Sequence, residues 1–560
     1  MSNTRRLYFY GVAFIALIVG TSGTASLLGI LMRIATGTPL VEPGRALQEQ
    51  VSTALAMLVV GWPLWAIHWL RVQRYTQRWP QEREAVVRKL YLYAVLGVGA
   101  GAVFLNTFTL LAKFLGGLID GIPHLAWVAV WGALWAYHWT VEGREGQPSE
   151  GGRTLRRWYV YLTSAYSLGA LGGGVGFILG SLLSWWYDAL LAMPYLYRAL
   201  PLWSAGMQSA VALALAGGVW WAFHWLVVAR GDSGSILRQV YLYLFTFLGG
   251  AITTVATTAL LLHTVLAWAL GAPTVPTVQH FRLVPQALPA LLVGVGILAY
   301  HWGVVQGEAA GLVGRLGGAR RAFGYIMAAL GLGTLVGGLA ILLGMVLGLG
   351  VPGERAPLVG RPPWRGLLAA ALTLLAVGGP MWAWNWWRMQ GRALQEGGEE
   401  RTALARRIFL YGVLAVLALL TLGSAVAFLT SLLREILAGQ VSWKVIAAGR
   451  WPLGLGLAAL AFLPYYWQVL LEDQRAGAEG ALRRKTITLV IGEKGKDFQA
   501  QLEQALGVRL QVVWVINGEE GPPSPTPETL APLLGQIRAT PTQRVLVIAT
   551  GGTLRVYGCR

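Results

Sequence analysis

The sequence predicts an all-α polytopic membrane protein that carries a small α/β domain at its C-terminus. Of its 560 residues, 55% are hydrophobic and only 12% are charged, which lies outside the range of soluble domains. Apolar runs recur up to residue 470, and each is long enough to cross a hydrocarbon core of about 30 Å as a helix. One pattern also repeats six times, with a period of roughly 70 to 86 residues.

Each repeat opens with a basic residue and an aromatic-x-Tyr group, and it closes on an aromatic motif. The first opening is Arg5-Arg6-Leu7-Tyr8-Phe9-Tyr10. The last tyrosines of the six openings are Tyr10, Tyr93, Tyr161, Tyr243, Tyr325 and Tyr411. The closings are Ile67-His68-Trp69, Tyr137-His138-Trp139, Phe223-His224-Trp225, Tyr300-His301-Trp302, Trp384-Asn385-Trp386 and Tyr465-Tyr466-Trp467. Such self-similarity is typical of an architecture built from one repeated structural unit.

Two apolar runs lie between each opening and its closing, so every repeat is predicted to be a helical hairpin. The twelve predicted spans are roughly 7–32, 50–70, 90–115, 124–141, 158–183, 203–228, 240–268, 287–305, 322–349, 366–388, 408–433 and 453–471. The six hairpins are predicted over residues 1–80, 81–150, 151–233, 234–314, 315–400 and 401–480. Internal glycine clusters, such as Gly172-Gly173-Gly174, fit closely packed transmembrane helices.

Residues 481–560 have a different character and predict a separate βαβαββ domain. β-branched runs alternate there with amphipathic stretches. The predicted strands are 486–491, 510–516, 544–549 and 553–557, and the predicted helices are 497–506 and 528–539. Gly492-Glu493-Lys494-Gly495-Lys496 follows a strand and precedes a helix, as a phosphate-binding loop would, but it lacks the GxxxxGK[ST] spacing. A docking or regulatory role for this domain is the preferred interpretation.

The net charge of +19 is explained by membrane topology rather than by nucleic-acid binding. Most Lys and Arg residues lie at the N-terminus and in the linkers between hairpins, for example Arg71, Arg74, Arg88 and Lys89. By the positive-inside rule, both termini and all linkers are predicted to be cytoplasmic, in a bacterial inner membrane. The expected partners are the lipid bilayer and a cytoplasmic protein that binds residues 481–560.

Four histidines occupy the same position in the closings, namely His68, His138, His224 and His301. Because the ends of a hairpin meet, the opening tyrosine should lie near the closing histidine, and we expect a structural clamp there. Its members would be the six tyrosines above with Trp69, Trp139, Trp225, Trp302, Asn385 and Tyr466, the tryptophans at headgroup depth. The alternative is that the four histidines bind haem b axially. Asn385, a poor haem ligand in the histidine position, favours the clamp.

Polar residues elsewhere leave two further function classes open. All 25 Asp and Glu lie in loops, at helix ends or in the C-terminal domain, which argues against a carboxylate-driven pump. A passive solute route would use weakly polar groups such as Asn106 and Gln208. A lipid-modifying enzyme would use loop residues such as His124, His280 and Arg282, although no catalytic motif is present. Cys559 is the only cysteine, which excludes disulfides and Cys-based metal sites.

The repeated [RK][RK]x[YF]xY opening, followed by a Gly/Ala/Leu-rich helix, resembles a family of bacterial integral-membrane proteins known only as domain of unknown function 5671. The resemblance covers residues 5–470, in tandem copies. It implies a membrane protein but no activity, cofactor or site residue. The sequence therefore favours a membrane protein without an evident catalytic site, which serves passive transport, scaffolding or sensing and makes cytoplasmic contacts through residues 481–560.

Overall fold

The fold is described by a computed structural model that places most of the chain. The described residues are 2–37, 44–117, 121–146, 149–191, 201–232, 235–309, 317–349, 364–395, 399–439, 444–483, 485–492, 495–506, 508–515, 526–540, 542–550 and 553–559. Two residues of the glycine-rich loop, Glu493 and Lys494, lie outside this set, as do Gly551 and Gly552 between the last two predicted strands.

Three hairpins form the first half of the helical region. Their helices are α1 (Asn3–Ala35) and α2 (Arg45–Arg78), α3 (Val86–Leu115) and α4 (Ile122–Arg144), then α5 (Glu150–Leu191) and α6 (Ala205–Trp221), which continues as a π-helical segment, Ala222–Val228. A 3₁₀ turn, Pro80–Glu84, links hairpins 1 and 2. Within each of these hairpins the two helices pack against each other.

Hairpins 4 to 6 follow the same plan with more irregular helices. Hairpin 4 comprises α7 (Ile236–Val240), a π-helical segment (Tyr241–Phe247), α8 (Leu248–Ala269), α9 (Thr277–His280), a 3₁₀ turn (Phe281–Leu283) and α10 (Val284–Ala309). Hairpin 5 comprises α11 (Gly317–Leu349) and α12 (Trp364–Gln395), and the short α13 (Glu399–Thr402) leads to α14 (Leu404–Leu437) and α15 (Lys444–Arg483) of hairpin 6. The predicted fold class is confirmed.

Eleven helices of the described chain are long and apolar enough to cross a membrane, against the twelve predicted. The difference is α4, a helix of 23 residues whose four Trp, one Tyr and two His residues lower its mean hydropathy. Many spans exceed the bilayer core. With 42 residues, α5 extends about 63 Å at 1.5 Å per residue, about twice the hydrocarbon thickness. Helix ends therefore reach the polar region.

By internal contacts the described chain divides into two compact units. Unit 1 comprises residues 1–323 and 353–380, and unit 2 comprises residues 324–352 and 381–560. In unit 1, α1 packs on α4 in the same way as α5 packs on α10, so hairpins 1 and 2 form one four-helix group and hairpins 3 and 4 form another. The two groups meet where α3 packs on α5 and α6.

Glycines allow the helices of a hairpin to approach closely. A Cβ at Gly61 of α2 would lie 2.3 Å from the backbone nitrogen of Gly20 on α1, a separation that no side chain could occupy. In unit 2, a Cβ at Gly331 would lie 2.5 Å from the backbone nitrogen of Trp382. The glycine clusters therefore serve backbone contact between helices, as expected in a membrane, where close packing replaces hydrophobic burial.

The C-terminal domain is a four-stranded sheet with two helices, as far as it is described. The elements are β1 (Thr486–Gly492), α16 (Lys496–Leu506), β2 (Gln511–Val515), α17 (Pro527–Ala539), β3 (Arg544–Thr550) and β4 (Thr553–Cys559). The strand order is β2-β1-β3-β4, with β1, β2 and β3 parallel and β4 antiparallel to β3. Ile487, Leu489 and Ile491 alternate along β1 and are buried with Phe498 and Ile537 of the helices.

Candidate functional site

The closing histidines make the same bond in four hairpins. Each Nδ1 lies beside the backbone carbonyl oxygen four residues earlier, at 2.8 Å for His68, 3.0 Å for His138, 2.9 Å for His224 and 2.9 Å for His301. Because a carbonyl oxygen can only accept, Nδ1 must carry the proton and Nε2 becomes an acceptor. Asn385 donates from Nδ2 to the Met381 oxygen at 2.8 Å, so it reproduces this bond in hairpin 5.

Two of the Nε2 atoms accept a tyrosine hydroxyl from the first aromatic position of the same hairpin. The Tyr91 hydroxyl lies 3.3 Å from Nε2 of His138. The Tyr159 hydroxyl lies 2.9 Å from Nε2 of His224. The nitrogen that haem iron would need is therefore occupied in these two histidines.

Each of these tyrosines also accepts a bond from the preceding hairpin, which completes a Trp–Tyr–His chain. Trp65 Nε1 donates to the Tyr91 hydroxyl at 3.2 Å, and Trp135 Nε1 donates to the Tyr159 hydroxyl at 2.9 Å. The tryptophan stands three residues before the closing residue of its hairpin. The Trp–Tyr–His chain therefore joins successive hairpins as well as the two ends of one hairpin.

The other junctions use variants of this chain. At the junction of hairpins 3 and 4, Trp221 Nε1 donates to the Tyr241 hydroxyl at 3.3 Å, and the Tyr241 and His301 rings lie 5.9 Å apart. In unit 2, Trp382 Nε1 donates directly to the hydroxyl of Tyr466, which replaces histidine, at 2.7 Å. In hairpin 1 the exposed Tyr8 makes an edge contact with His68, with ring centroids 5.8 Å apart.

The histidine partner differs from the one predicted. The prediction paired Tyr10 with His68 and Tyr93 with His138, whereas the observed partner of His138 is Tyr91, the first aromatic of that opening. Residues two apart on a helix point about 200° apart, so the two tyrosines of one opening face different neighbours. The Tyr93 hydroxyl instead donates to Glu142 at 2.5 Å.

The second tyrosines of the odd-numbered hairpins meet the aromatic residue of the following hairpin. The ring centroids are 5.5 Å apart for Tyr10 and Tyr91, 5.6 Å for Tyr161 and Tyr241, and 5.1 Å for Tyr325 and Phe409. Such pairs stabilise by about 1 kcal/mol beyond their burial. The contact therefore recurs every second hairpin.

A buried arginine opens each even-numbered hairpin and lies over the closing tryptophan of the hairpin before it. The guanidinium carbon is 5.3 Å from the ring centroid for Arg88 and Trp69, 4.5 Å for Arg238 and Trp225, and 5.5 Å for Arg406 and Trp386. These tryptophans donate to Tyr137, Tyr300 and Tyr465, at 2.8, 3.0 and 2.6 Å. We call each such group an Arg–Trp cluster.

A carboxylate neutralises each of these arginines. Glu145 pairs with Arg88 and also with Lys89, at 2.9 Å from its Nζ. Glu308 pairs with Arg238 at 2.6 Å, and Asp473 pairs with Arg406 at 2.5 Å. Buried ion pairs of this kind are satisfied only when both partners are present. Among the described residues, the Arg–Trp cluster thus occurs three times.

Sequence reasoning placed these carboxylates in loops and gave them no role. The signal was present, however, because Glu145, Glu308 and Asp473 each stand seven residues after the closing residue of an even-numbered hairpin. Seven residues are about two turns of helix, so the carboxylate extends from the same face as the closing residue. Their partner arginines are 57 to 70 residues away, which a local pattern does not reveal.

Hairpins 1 and 3 carry a second kind of ion pair, which we call the open ion pair because its arginine is more exposed than those of the Arg–Trp clusters. Arg6 contacts Glu82 at 2.7 Å, and its hydrogen bonds hold the pKa of that carboxyl below its usual value. Arg157 contacts Asp232 at 2.7 Å. Burial favours the neutral form of Asp232, but hydrogen bonds from Arg157, Tyr161 and Ser235 outweigh it, so its pKa is lowered.

The closing tryptophans do not all lie at the surface, contrary to the expected headgroup position. Those of the odd-numbered hairpins, Trp69, Trp225 and Trp386, are at most 3% exposed within the Arg–Trp clusters. Trp139 of hairpin 2 packs on Phe223 of hairpin 3, at 5.7 Å between ring centroids. Trp302 is about half exposed, as is Tyr411 of hairpin 6, so an interfacial position fits them.

The polar residues considered for transport or lipid chemistry are bonded locally. Asn106 donates to the Ala102 oxygen at 2.8 Å, and its amide oxygen lies 2.9 Å from Nδ1 of His124. Nε2 of His280 lies 2.9 Å from the Thr264 carbonyl oxygen. Arg282, rather than a histidine, contacts the nearby Asp188, at 3.0 Å. Gln208 lies against Gly116 at the contact of α6 with α3.

The period of two hairpins agrees with the family to which the chain belongs. The model of the family described as domain of unknown function (DUF5671) matches residues 6–125, 157–300 and 321–463. These segments together cover well over half of the chain. The chain therefore belongs to this family.

Each family segment begins in an odd-numbered hairpin, and the Arg and Trp of one Arg–Trp cluster lie within each segment. We call hairpins 1 and 2 copy 1, hairpins 3 and 4 copy 2, and hairpins 5 and 6 copy 3. No curated protein and no solved structure matches the chain.

Proposed function

We propose that the protein is a non-enzymatic membrane scaffold whose helical body holds residues 481–560 at the cytoplasmic surface as a docking domain. The observation that carries the proposal is the threefold Arg–Trp cluster, which fixes the hairpin ends without leaving a reactive group exposed. Arg88 and Arg406 are both about 1% exposed or less and are paired with carboxylates. Such residues stabilise an architecture and do not contact a substrate.

The basic linkers support a cytoplasmic position for the end of the helices at which they lie. Arg71, Arg74, Arg78 and Arg83 lie around the 3₁₀ turn that joins hairpins 1 and 2. Positive charge is retained on the cytoplasmic side of bacterial membranes, and it interacts favourably there with anionic lipid. The C-terminal domain follows the last helix at the same kind of end.

The domain offers an apolar sheet face for a partner. Its helices and core side chains cover the face that contains Leu489 and Val547. Val490, Val513 and Ile548 share the opposite face by register, and Tyr557 lies on that face as well. Val513 is 50% exposed and Tyr557 is 45% exposed. A sheet with one open apolar face is typical of a protein-binding surface.

The main rival is a passive solute route, and the hydrogen bonds within the spans argue against it. Asn106, Thr253 and Thr257 each donate to a carbonyl oxygen four residues earlier in the same helix. Groups that are satisfied by their own helix contribute little to a hydrated path. A scaffold requires no such path.

Two measurements test the proposal. Purified protein in liposomes should leave the permeability to glycerol and urea equal to that of protein-free liposomes, and a protein-dependent flux would overturn the scaffold interpretation. In cells, a photo-crosslinking amino acid at Tyr557 should give one adduct of defined mass. The same amino acid at Ala500, exposed on the helical side of the domain, is the matched control. Equal labelling at both positions would refute the docking face.

A further inference from the structure

Copies 1 and 2 meet through a contact that is visible in detail. The back of copy 1 is formed by α3 and α4, and the front of copy 2 is formed by α5 and α6. Tyr93 lies 6.2 Å from Tyr159, and Phe104 lies 5.3 Å from Tyr166, measured between ring centroids. The Trp135–Tyr159 hydrogen bond lies in the same contact. The contact is therefore heterologous, since two different faces meet.

The same contact begins again after copy 2, within unit 1. Tyr243, the equivalent of Tyr93, lies 6.2 Å from Phe323, the equivalent of Tyr159. At the other end of the helices, Trp203 donates to the Leu115 oxygen at 3.1 Å, and Arg365 similarly donates to the Gly271 oxygen at 3.3 Å. Within unit 1, two contacts of the junction between copies 1 and 2 are thus repeated after copy 2.

Hairpins 1 and 6 carry aromatic or aliphatic residues at the equivalent positions, but there these residues are exposed. On the back, Tyr93 and Tyr243 are each 6% exposed, whereas Tyr411 in hairpin 6 is 54% exposed. Phe104 is 8% exposed, whereas its equivalent Leu422 is 63% exposed.

The front shows the same difference. Tyr159 is 6% exposed, whereas Tyr8 in hairpin 1 is 58% exposed. Ile67 of hairpin 1 is the equivalent of Phe223 of hairpin 3, which contacts Trp139. Ile67 is 61% exposed. Each terminal face is therefore the unpaired counterpart of a face that is buried between copies.

We propose that these two faces bind each other between molecules, so that the back of hairpin 6 packs against hairpin 1 of a second copy of this chain. We infer that the partner is a second copy of this chain because the contact between copies 1 and 2 already joins a back face to a front face of the same kinds. The positive-inside pattern predicts one orientation across the membrane for all copies, and repeated contacts between copies of one orientation are related by an axis along the membrane normal. Heterologous contacts of this kind produce rings or open arrays in the membrane plane. The inference does not depend on the scaffold function.

Cysteine crosslinking tests the contact, starting from protein in which the single cysteine is removed as Cys559→Ser. Two differently tagged variants, Tyr8→Cys and Tyr411→Cys, are produced together and treated with a short bismaleimide. We expect a crosslinked pair that carries both tags. Either variant alone should give no pair, because a heterologous contact does not bring a residue against its own equivalent.

A matched control uses a residue that is exposed at the same depth on another face. Leu90 lies in the opening of hairpin 2 and is 49% exposed, so Leu90→Cys is the control variant. With Tyr411→Cys it should give no crosslinked pair. Adding Ala418→Trp, which places bulk in the back face, should lower the yield of the Tyr8–Tyr411 pair about tenfold, the effect of roughly 1.4 kcal/mol.

Three outcomes would overturn the proposal. A third variant carries both Tyr8→Cys and Tyr411→Cys, and a crosslink that forms only within this one chain would show that the two faces close on each other in a single molecule. Self-crosslinking of Tyr8→Cys would show a symmetric dimer. The absence of any product, while the variants elute as the unmodified protein does in size-exclusion chromatography, would show that lipid covers both faces.

Discussion

The junction between hairpins 2 and 3 and the junction between hairpins 4 and 5 are equivalent in the sequence but differ in chemistry. Trp135 and Tyr159 supply a donor and a hydroxyl at the first, and they complete a chain of hydrogen bonds to His224. Leu298 and Phe323 occupy the same positions at the second, and neither can form a hydrogen bond. The division between the two compact units falls in hairpin 5.

The comparison teaches that aromatic packing and hydrogen bonding have separate roles here. Aromatic contacts are retained at both junctions, since Tyr93 meets Tyr159 and Tyr243 meets Phe323 at the same ring separation of 6.2 Å. The polar chain is retained at only one of them. Directional bonds fix one geometry, whereas apolar contacts in a membrane compete with lipid on nearly equal terms.

The largest loss of stability should follow from breaking the buried ion pair of an Arg–Trp cluster. Arg406→Met leaves Asp473 buried without its closest partner and should destabilise the protein by about 3–5 kcal/mol. Thermal unfolding in detergent measures this. Arg407→Met, which changes an exposed neighbour, is the control. A double variant that also carries Asp473→Leu should recover much of the loss, and no recovery would argue against the ion pair as the cause.

A smaller loss of stability should follow from Tyr159→Phe. This change places at the junction of hairpins 2 and 3 the phenylalanine that Phe323 provides at the junction of hairpins 4 and 5. The change leaves Trp135 Nε1 and His224 Nε2 without their hydroxyl partner and should cost about 1–3 kcal/mol. Tyr8→Phe is the matched control, because Tyr8 is 58% exposed and meets His68 by a ring-edge contact. Equal losses in the two variants would show that the Trp–Tyr–His chain contributes nothing.

The reverse exchange should strengthen the apolar junction. Leu298→Trp together with Phe323→Tyr supplies both a donor and an acceptor at these two positions, which both lie in unit 1, and we expect a gain of about 1 kcal/mol. Each single change should instead destabilise, since it buries an unpaired polar group. A double-mutant cycle by thermal unfolding gives the coupling energy. A coupling energy of zero would show that the two side chains do not meet.

The sequence predicted the hairpins and the C-terminal domain because both depend on local patterns. Apolar length and the six aromatic closings were sufficient to place the twelve long helical segments, though not the short α9 and α13, and alternation placed β1 and β3. The side-chain partners were harder to predict. Tyr91 and Tyr93 lie on different faces of one helix. Glu145 pairs with Arg88, which is 57 residues away in the sequence. Such pairs depend on how helices are rotated, and hydropathy does not report rotation.

The smallest change in stability should appear on acidification, through the open ion pairs of hairpins 1 and 3. The pKa values of Glu82 and Asp232 are lowered in the folded protein, so each carboxylate adds stability that is fully present above its unfolded pKa of about 4. That stability is lost as the pH falls below this value and through the lower folded pKa. Because Asp232 is a quarter exposed, its contribution should be about 1 kcal/mol or less.

Asp232→Asn should therefore lower the melting temperature slightly at pH 7 and by less at pH 3, because part of the stability that the ionised carboxylate adds is lost below its unfolded pKa. Glu150→Gln, a change at an exposed helix start, is the control and should have no effect at either pH. A loss at pH 3 as large as that at pH 7 would assign the role of Asp232 to its hydrogen bonds with Tyr161 and Ser235 rather than to its charge. The open ion pairs would then resemble the Trp–Tyr–His chain more than the Arg–Trp clusters, because directional hydrogen bonds rather than charge would stabilise them.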